Sequence, residues 1–243
     1  MTAPERSLLR LAQLLVGPAH TPMLASVAQR ITRIVVDLQA SSPASCELVL
    51  RDRSGQALRE SGLHIGSEIV IKAERPKSDT AHPIFIGEIT SLGASYRGLL
   101  GEVLIRAYSR DHRLQRDRRS RAYLNSKDSD IAKEIAQAHK LPLGAIDQST
   151  TTHDHIGQIN ETDWEFLIRR AREIGFDLRM VDGKFNFQRP PLQPPAPSVT
   201  LSWPGQLWSF APRISASTLP TEVEVRLWDP KGPQGCRGNG AGP

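Results

Sequence analysis

Two histidines separated by one residue, His153 and His155, are the first place where the sequence suggests chemistry. Alternate residues of a strand share one face, so both imidazoles could reach the same metal ion. A metal site needs a third and usually a fourth ligand, and His139 and Asp147 are candidates only by their proximity in sequence. A polar loop that leads into a strand explains the same residues. We therefore predict no metal site and no cofactor, and we keep a lytic or metal-dependent enzyme as an alternative.

Other catalytic signatures are missing from the sequence. It contains no Gly-x-Ser-x-Gly elbow, no His-Glu-x-x-His motif and no phosphate-binding loop that ends in Gly-Lys-Ser/Thr. The two cysteines, Cys46 and Cys236, exclude a disulfide framework and a zinc site with paired cysteine ligands, and they indicate synthesis in a reducing compartment. We predict no catalytic residues and a protein that is not an enzyme.

Arginines are concentrated between residues 106 and 121. This arginine-rich segment holds seven arginines and two aspartates, an excess that equals the net charge of +5 of the whole chain. It could be a phosphate-binding stripe, a contact to an acidic protein neighbour or a solvated edge. Nucleic-acid binders usually place aromatic residues among the cations, whereas here only Tyr108 and Tyr123 flank the segment, so nucleic acid is the less favoured alternative. We predict protein-interface residues at Arg110, Arg113, Arg116, Arg118, Arg119 and Arg121.

Residues 30–110 have the pattern of a small antiparallel β-barrel or sandwich. Apolar residues alternate from Ile31 to Leu38 and from Cys46 to Leu50, and β-rich runs follow at 68–72, 84–90 and 102–108. Short strands without intervening helices argue against a doubly wound parallel sheet. Residues 1–29 are predicted to be an N-terminal extension, in which the apolar stretch 8–16 is too short and too interrupted for a membrane span or a secretory signal.

Residues 111–189 are predicted to form an arginine-rich bend followed by an α+β module. Ser126 or Asp128 can cap a first helix, and Asn160 can cap a second helix that ends at Gly175. The apolar stripe of the second helix predicts that Trp164 and Phe166 are buried rather than part of a ligand cage. A hairpin follows over 176–187, with Asp182 and Gly183 in a type I′ turn.

The remaining residues are predicted to form a linker, part of a second barrel and a tail. Five prolines within 190–197 indicate an extended linker. Strands are predicted at 199–203, 206–212 and 221–228, so that 198–230 is a partial second β-barrel. The Gly/Pro-rich residues 231–243 are predicted to be disordered.

Four pieces of the sequence, taken in order, resemble the phage late control protein D family. Residues 158–176, with the hairpin residues 184–187 after them, resemble the family signature. Residues 105–114 look like the family's strand into an arginine-rich bend, 128–136 like its first helix and 221–230 like the strand that begins its second barrel. The family includes tail baseplate hub proteins and the hub part of valine-glycine-repeat G spikes, and hubs of contractile injection systems look closest. The signature residues are Gln158, Asn160, Asp163, Trp164, Phe166, Leu167 and Gly175.

This resemblance implies a mainly β α+β fold: an antiparallel β-barrel hub domain with an inserted helix/hairpin module and the start of a second β-barrel. It implies a structural role, in which a homotrimer adapts the hexameric inner tube to the trimeric spike and contacts other baseplate proteins. Such a subunit is made in the cytoplasm without a signal peptide and is incorporated into a phage-tail-like particle. The chain departs from the family because its second barrel stops at about residue 230.

Overall fold

The computed structural model describes residues 12–39, 42–73, 82–98, 100–191, 202–203, 209–212, 222–227 and 236–241. The chain divides into two units, residues 1–192 and 193–243. Within the described residues, no helix is long and apolar enough to cross a membrane. The predicted fold class, α+β with mainly antiparallel β-structure, is confirmed.

The first unit begins with a seven-stranded antiparallel sheet. Its strands have the spatial order β2-β1-β5-β6-β7-β4-β3, so β2 and β3 are the two ends of the sheet. Short helices α1 (Ala25–Ala28) and α2 (Ala57–Ser61) lie between strands in the sequence. The strands are β1 (Ala12–Val16), β2 (Thr21–Pro22), β3 (Ile31–Asp37), β4 (Ser45–Arg51), β5 (Glu68–Ala73), β6 (His82–Arg97) and β7 (Leu100–Tyr108).

One face of this sheet covers an apolar core. In β7 the buried residues Val103, Ile105 and Ala107 alternate with more exposed ones, as the period of a strand requires. The core also contains Cys46, and burial raises the pKa of its thiol to about 12. A thiol with so high a pKa is a packing residue and a poor nucleophile at neutral pH.

The predicted N-terminal extension is wrong for residues 12–28. Strand β1 pairs with β5 inside the sheet, and Leu14 and Leu15 of β1 are buried. Residues 12–16 of the apolar stretch 8–16 therefore form a strand of the sheet. Its partner β5 is far along the chain, and local periodicity gives no information on such a pairing.

The rest of the first unit surrounds a second apolar core. Strands β8 and β10 form an antiparallel ribbon, and β11, β12 and β9 form a three-stranded sheet in which β12 and β9 are parallel. Trp164 and Phe166 are buried in this core, as predicted. The elements are a 3₁₀ helix (Arg110–Gln115), β8 (Arg118–Lys127), α3 (Asp128–Ala138), β9 (Leu143–Ile146), β10 (Thr152–Thr162), α4 (Asp163–Ile174), β11 (Asp177–Val181) and β12 (Lys184–Gln188).

The helix starts differ from the prediction. Helix α3 begins at Asp128 after the N-cap Lys127, and no side chain caps it. Helix α4 has Thr162 as its N-cap, not Asn160, and Glu165 completes a capping box. Asn160 instead has a φ of 51°, within the register shift of β10, so the strand continues to Thr162 before the helix begins.

The predicted ends of α4 and of the hairpin are confirmed. Gly175 ends α4 with a φ of 67°, a left-handed conformation that favours glycine. Asp182 and Gly183 have φ values of 50° and 73°, which is the pattern of a type I′ turn between β11 and β12.

The second unit contains one described strand pair. Strand β13 (Glu222–Leu227) falls in the predicted strand 221–228 and pairs with β14 (Cys236–Ala241) in antiparallel register. The prediction of a disordered tail is therefore wrong for 236–241, because backbone pairing needs no apolar side-chain pattern. Residues 202–203 and 209–212 are not in strands, and the remainder of the predicted strands 199–203 and 206–212 lies outside the described residues. Residues 231–235 and 242–243 of the predicted tail and residues 192–197 of the predicted linker also lie outside the described residues.

Candidate functional site

The first half of the arginine-rich segment holds the 3₁₀ helix against the large sheet. Arg110 Nη2 donates to Glu68 Oε2 of β5 at 2.8 Å, and Arg110 Nε lies 3.3 Å from Glu88 Oε1 of β6. Arg113 binds Glu88 through two nitrogens, with Nε 3.1 Å from Oε2, and its Nη1 donates to the His139 carbonyl at 3.2 Å. Glu88 is only 8% exposed, so two guanidinium groups neutralise one buried carboxylate.

Asp111 and His112, between these two arginines, have shifted pKa values. Burial raises the pKa of Asp111, whose Oδ1 accepts a hydrogen bond from the Ser109 hydroxyl. Burial also lowers the pKa of His112, whose Nδ1 lies 2.9 Å from the Ser109 carbonyl. Arg116 Nη2 lies 2.9 Å from His112 Nε2, which fits a neutral imidazole that accepts from the arginine and donates to the carbonyl.

The arginines of β8 lie nearer the surface and are also paired. Arg118 donates to the Asn160 carbonyl at 2.6 Å and to Glu165 at 2.9 Å. Arg121 donates to Glu134 of α3 at 3.1 Å, and its guanidinium carbon lies 5.6 Å from the centre of the Tyr123 ring. The two remaining arginines of the segment also lie beside carboxylates. Arg106 lies 3.3 Å from Glu47, and Arg119 lies 3.8 Å from both Asp117 and Asp163.

Two of the predicted signature residues, Gln158 and Asp163, are buried and belong to a polar cluster at the start of α4. Gln158 Nε2 donates to Asp163 Oδ1 at 2.9 Å, and His139 Nε2 lies 2.6 Å from Asp163 Oδ2. Thr162 and Glu165 form the capping box, and the backbone N–H of Thr162 lowers the pKa of the Glu165 carboxyl. These bonds join β10, α4 and the end of α3. The apolar signature residues Trp164, Phe166 and Leu167 are buried beneath the cluster.

His153 belongs to a separate ionic network, and His155 is exposed. His153 Nε2 lies 3.0 Å from Asp128 Oδ2 and 3.2 Å from Arg170 Nη2, and Arg170 Nε donates to Asp128 Oδ1 at 2.6 Å. Asp128 is 1% exposed, so this network neutralises a buried carboxylate between α3 and α4. Across the described ranges, no group of three or more His, Cys, Asp or Glu side chains is arranged to hold a metal ion.

Sequence reasoning missed the acidic partners of the arginine-rich segment. Glu68 and Glu88 are the ion-pair partners of Arg110 and Arg113, and both lie in runs that were identified as β-rich without regard to their charges. A glutamate inside the run 84–90 is itself a signal, because a charge within a buried strand needs a partner of the opposite sign.

Comparison with solved structures relates the fold to phage tail proteins. The 43 kDa tail protein of prophage MuSo2 from Shewanella oneidensis has a TM-score of 0.57 at 12% identity, over 73% of this chain and 53% of that one. A tail protein from Neisseria meningitidis MC58 has a TM-score of 0.51 at 17% identity, over 72% and 50%. The chain thus has a tail-protein fold and spans about half the length of these proteins.

A component of the type VI secretion system of E. coli has a TM-score of 0.47 at 16% identity, over 65% of this chain and 47% of that one. Comparison with curated proteins finds no match. The sequence model of the family described as the Alg8 N-terminal domain matches residues 24–241, and the chain belongs to that family.

Proposed function

We propose that the chain is a structural subunit of a phage tail or a contractile injection system and that it catalyses no reaction. The observation that carries this proposal is the fold likeness to two tail proteins over about three quarters of the chain. The polar clusters of the first unit support it as well. They join one element to another through ion pairs, and their partners are already supplied within the chain.

Within such a particle, the proposed position is the baseplate hub. Three copies would form a ring between the hexameric inner tube and the trimeric spike, in contact with other baseplate proteins. The large sheet would be the first barrel of each subunit, and β13 with β14 would belong to the second. The sequence resemblance to late control protein D proteins supports this finer assignment. Synthesis in the cytoplasm followed by incorporation into the particle belongs to the same proposal.

The exposed arginines of the segment stay candidates for contacts within the particle. Arg116, Arg118 and Arg121 have exposed side chains, whereas Arg110 and Arg113 are partly buried in ion pairs with glutamates. Reversal of Arg118 and Arg121 to glutamate should therefore impair assembly and leave the fold intact.

The same pairing argues against the nucleic-acid alternative. A nucleic-acid groove gains affinity by releasing counterions from free cationic side chains. Each arginine between residues 106 and 121 instead has a carboxylate or histidine partner within the chain. The segment offers little uncompensated charge to phosphates.

The test is the mass of the assembled species in solution. Light scattering is recorded for the chain alone and after mixing with the tube and spike proteins encoded by the neighbouring genes. We expect a trimer, or a complex that forms only with those proteins. A monomer that binds neither protein would contradict the proposed role.

A further inference from the structure

A cleft of about 410 Å³ lies at the end of the β3–β4 pair. The segment 29–32 lines one side of it, and residues 51, 53 and 54 line the other. The two sides are fixed to each other because Ile31 pairs with Leu50 and the Arg51 N–H donates to the Arg30 carbonyl at 2.7 Å. The β3–β4 pair therefore anchors the cleft to the sheet, and Arg53 and Ser54 extend it from the bend between β4 and α2.

Three arginines line this cleft, which we name the arginine cleft. Arg30 donates to Glu60 at 2.6 Å. The side chains of Arg51 and Arg53 are exposed, and neither forms an ion pair or a side-chain hydrogen bond with any residue that the structure describes. Of the described lining residues, none is acidic. Glu102 lies opposite Arg51 in the β4–β7 register, but among the described residues no carboxylate forms an ion pair with either guanidinium group.

Asp52, between the two unpaired arginines in sequence, does not neutralise them. It is 1% exposed, and its Oδ1 accepts from the backbone N–H groups of Gln56 and Ala57 at 3.1 and 3.2 Å. Its Oδ2 accepts from the Tyr96 hydroxyl at 2.8 Å. The carboxylate stabilises the turn into α2, and its one hydrogen bond to a described lining residue of the cleft comes from the Ser54 hydroxyl at 3.5 Å.

Guanidinium groups bind carboxylates and phosphates through paired N–H donors. Two features favour a carboxylate on an extended chain. No aromatic residue is among the described residues that line the cleft, so bases would find no stacking surface there. Strand β3, which supplies Ile31 and Thr32, has only β4 as a neighbour among the described strands, and an edge strand can add an extended peptide by backbone hydrogen bonds.

We propose that the arginine cleft binds an acidic, extended segment of a partner protein, with its carboxylates on Arg51 and Arg53 and its backbone beside β3. The inference goes beyond the proposed tail role and does not depend on it, because it rests on the unpaired charges and on the sheet edge alone. A purified chain and a peptide are therefore enough to test it.

The test is binding of a fluorescein-labelled peptide of alternating glutamate and valine, about eight residues long, which matches the length of an ordinary strand. Fluorescence anisotropy should show saturable binding that weakens as salt is added. A peptide of the same length with glutamine in place of glutamate should bind at least about tenfold more weakly. Absence of binding up to about 1 mM would overturn the proposal.

Variants locate the site. The change R51E/R53E should weaken binding at least about tenfold, and R51Q/R53Q should weaken it by a smaller factor. The matched control is R172E/R179E, which makes the same change of charge at two exposed arginines that do not line the cleft. Both double variants change the net charge by the same amount, so the effect of net charge on binding is the same in each. We expect the control to change the affinity for the peptide less than about twofold. Equal losses in both pairs of variants, or tighter binding of duplex DNA than of the peptide, would overturn the proposal.

Discussion

The arginine-rich segment and the arginine cleft use the same side chain in opposite ways. In the segment, seven arginines lie close together in the sequence, and the fold brings a partner to each of them. In the cleft, Arg51 and Arg53 are inconspicuous in the sequence, yet neither forms an ion pair within the part of the chain that the structure describes. The density of charge along a chain therefore says little about where charge remains uncompensated in the folded protein.

Burial explains why the two regions should differ in energy. Removing one partner from a buried ion pair leaves an uncompensated charge and costs about 3–5 kcal/mol, whereas an exposed pair contributes about 0–1 kcal/mol. Glu88 is nearly buried and has two arginine partners. Arg51 and Arg53 of the cleft form no ion pair with any described residue, so they are free to contribute to binding.

The largest expected effect is the loss of the Glu88 carboxylate. The change Glu88→Gln leaves Arg110 and Arg113 opposite a neutral amide, and since both arginines are about one quarter exposed we expect a loss of about 2 kcal/mol in the free energy of unfolding. Urea denaturation followed by circular dichroism measures it. The control Glu60→Gln removes one exposed pair with Arg30 and should cost less than about 0.5 kcal/mol. Equal losses of unfolding free energy in Glu88→Gln and Glu60→Gln would contradict the expected difference between the buried pairs of the arginine-rich segment and the exposed pair of Arg30.

An intermediate effect, which depends on pH, is expected at Asp111. Burial raises the pKa of its carboxyl in the folded state, so the stability that the protonated form provides at low pH is lost as the pH rises through the folded pKa. The change Asp111→Asn keeps an acceptor for the Ser109 hydroxyl but cannot ionise. We expect this variant to be more stable than the parent at neutral pH, with the difference vanishing below the ordinary pKa of aspartate.

Thermal or urea unfolding from acidic to neutral pH measures this difference. The physical reason for it is that Asp111, although it lies within the arginine-rich segment, forms no ion pair among the described residues. If the variant were less stable than the parent at neutral pH, the Asp111 carboxylate would have to be stabilised by a group other than the Ser109 hydroxyl.

The smallest expected effect on stability is at the surface arginines of β8. The change R118Q/R121Q removes exposed pairs with Glu165 and Glu134 and should cost about 0.5–1 kcal/mol in total. The loss should decrease in high salt, because exposed charges are screened. A loss as large as that of Glu88→Gln would show that these exposed ion pairs stabilise the fold as much as the buried pairs of Glu88. That result would contradict the expected difference between buried and exposed arginines.

Local signals in the sequence predicted much of the fold. The apolar stripe of α4, the left-handed Gly175 and the turn at Asp182 and Gly183 each depend on a few neighbouring residues, and each was found where it was expected. The start of α4 was placed two residues too early because a strand irregularity at Asn160 extends β10 to Thr162. Strand β1 and strand β14 were missed because their pairing partners are not signalled locally.

The candidate functional residues could be predicted only in part. The sequence identified Arg110 and Arg113 as unusual, but it could not show that Glu88 would lie beside them, because that contact depends on how the chain packs after β6. The arginine cleft was not predicted at all. It arises from the pairing of β3 with β4, which places Arg30 next to Arg51, and from the hydrogen bonds that engage the carboxylate of Asp52 with Tyr96 and with the backbone of the turn into α2.

The central claim is that arginines in the two regions have different roles, and one matched pair of variants tests it most directly. The measurement is the free energy of unfolding in urea of R110Q/R113Q and of R51Q/R53Q, each against the parent chain. We predict that the first change lowers stability by about 2 kcal/mol, as Glu88→Gln does, and that the second stays within about 0.5 kcal/mol of the parent. Similar values for the two variants would contradict the claim.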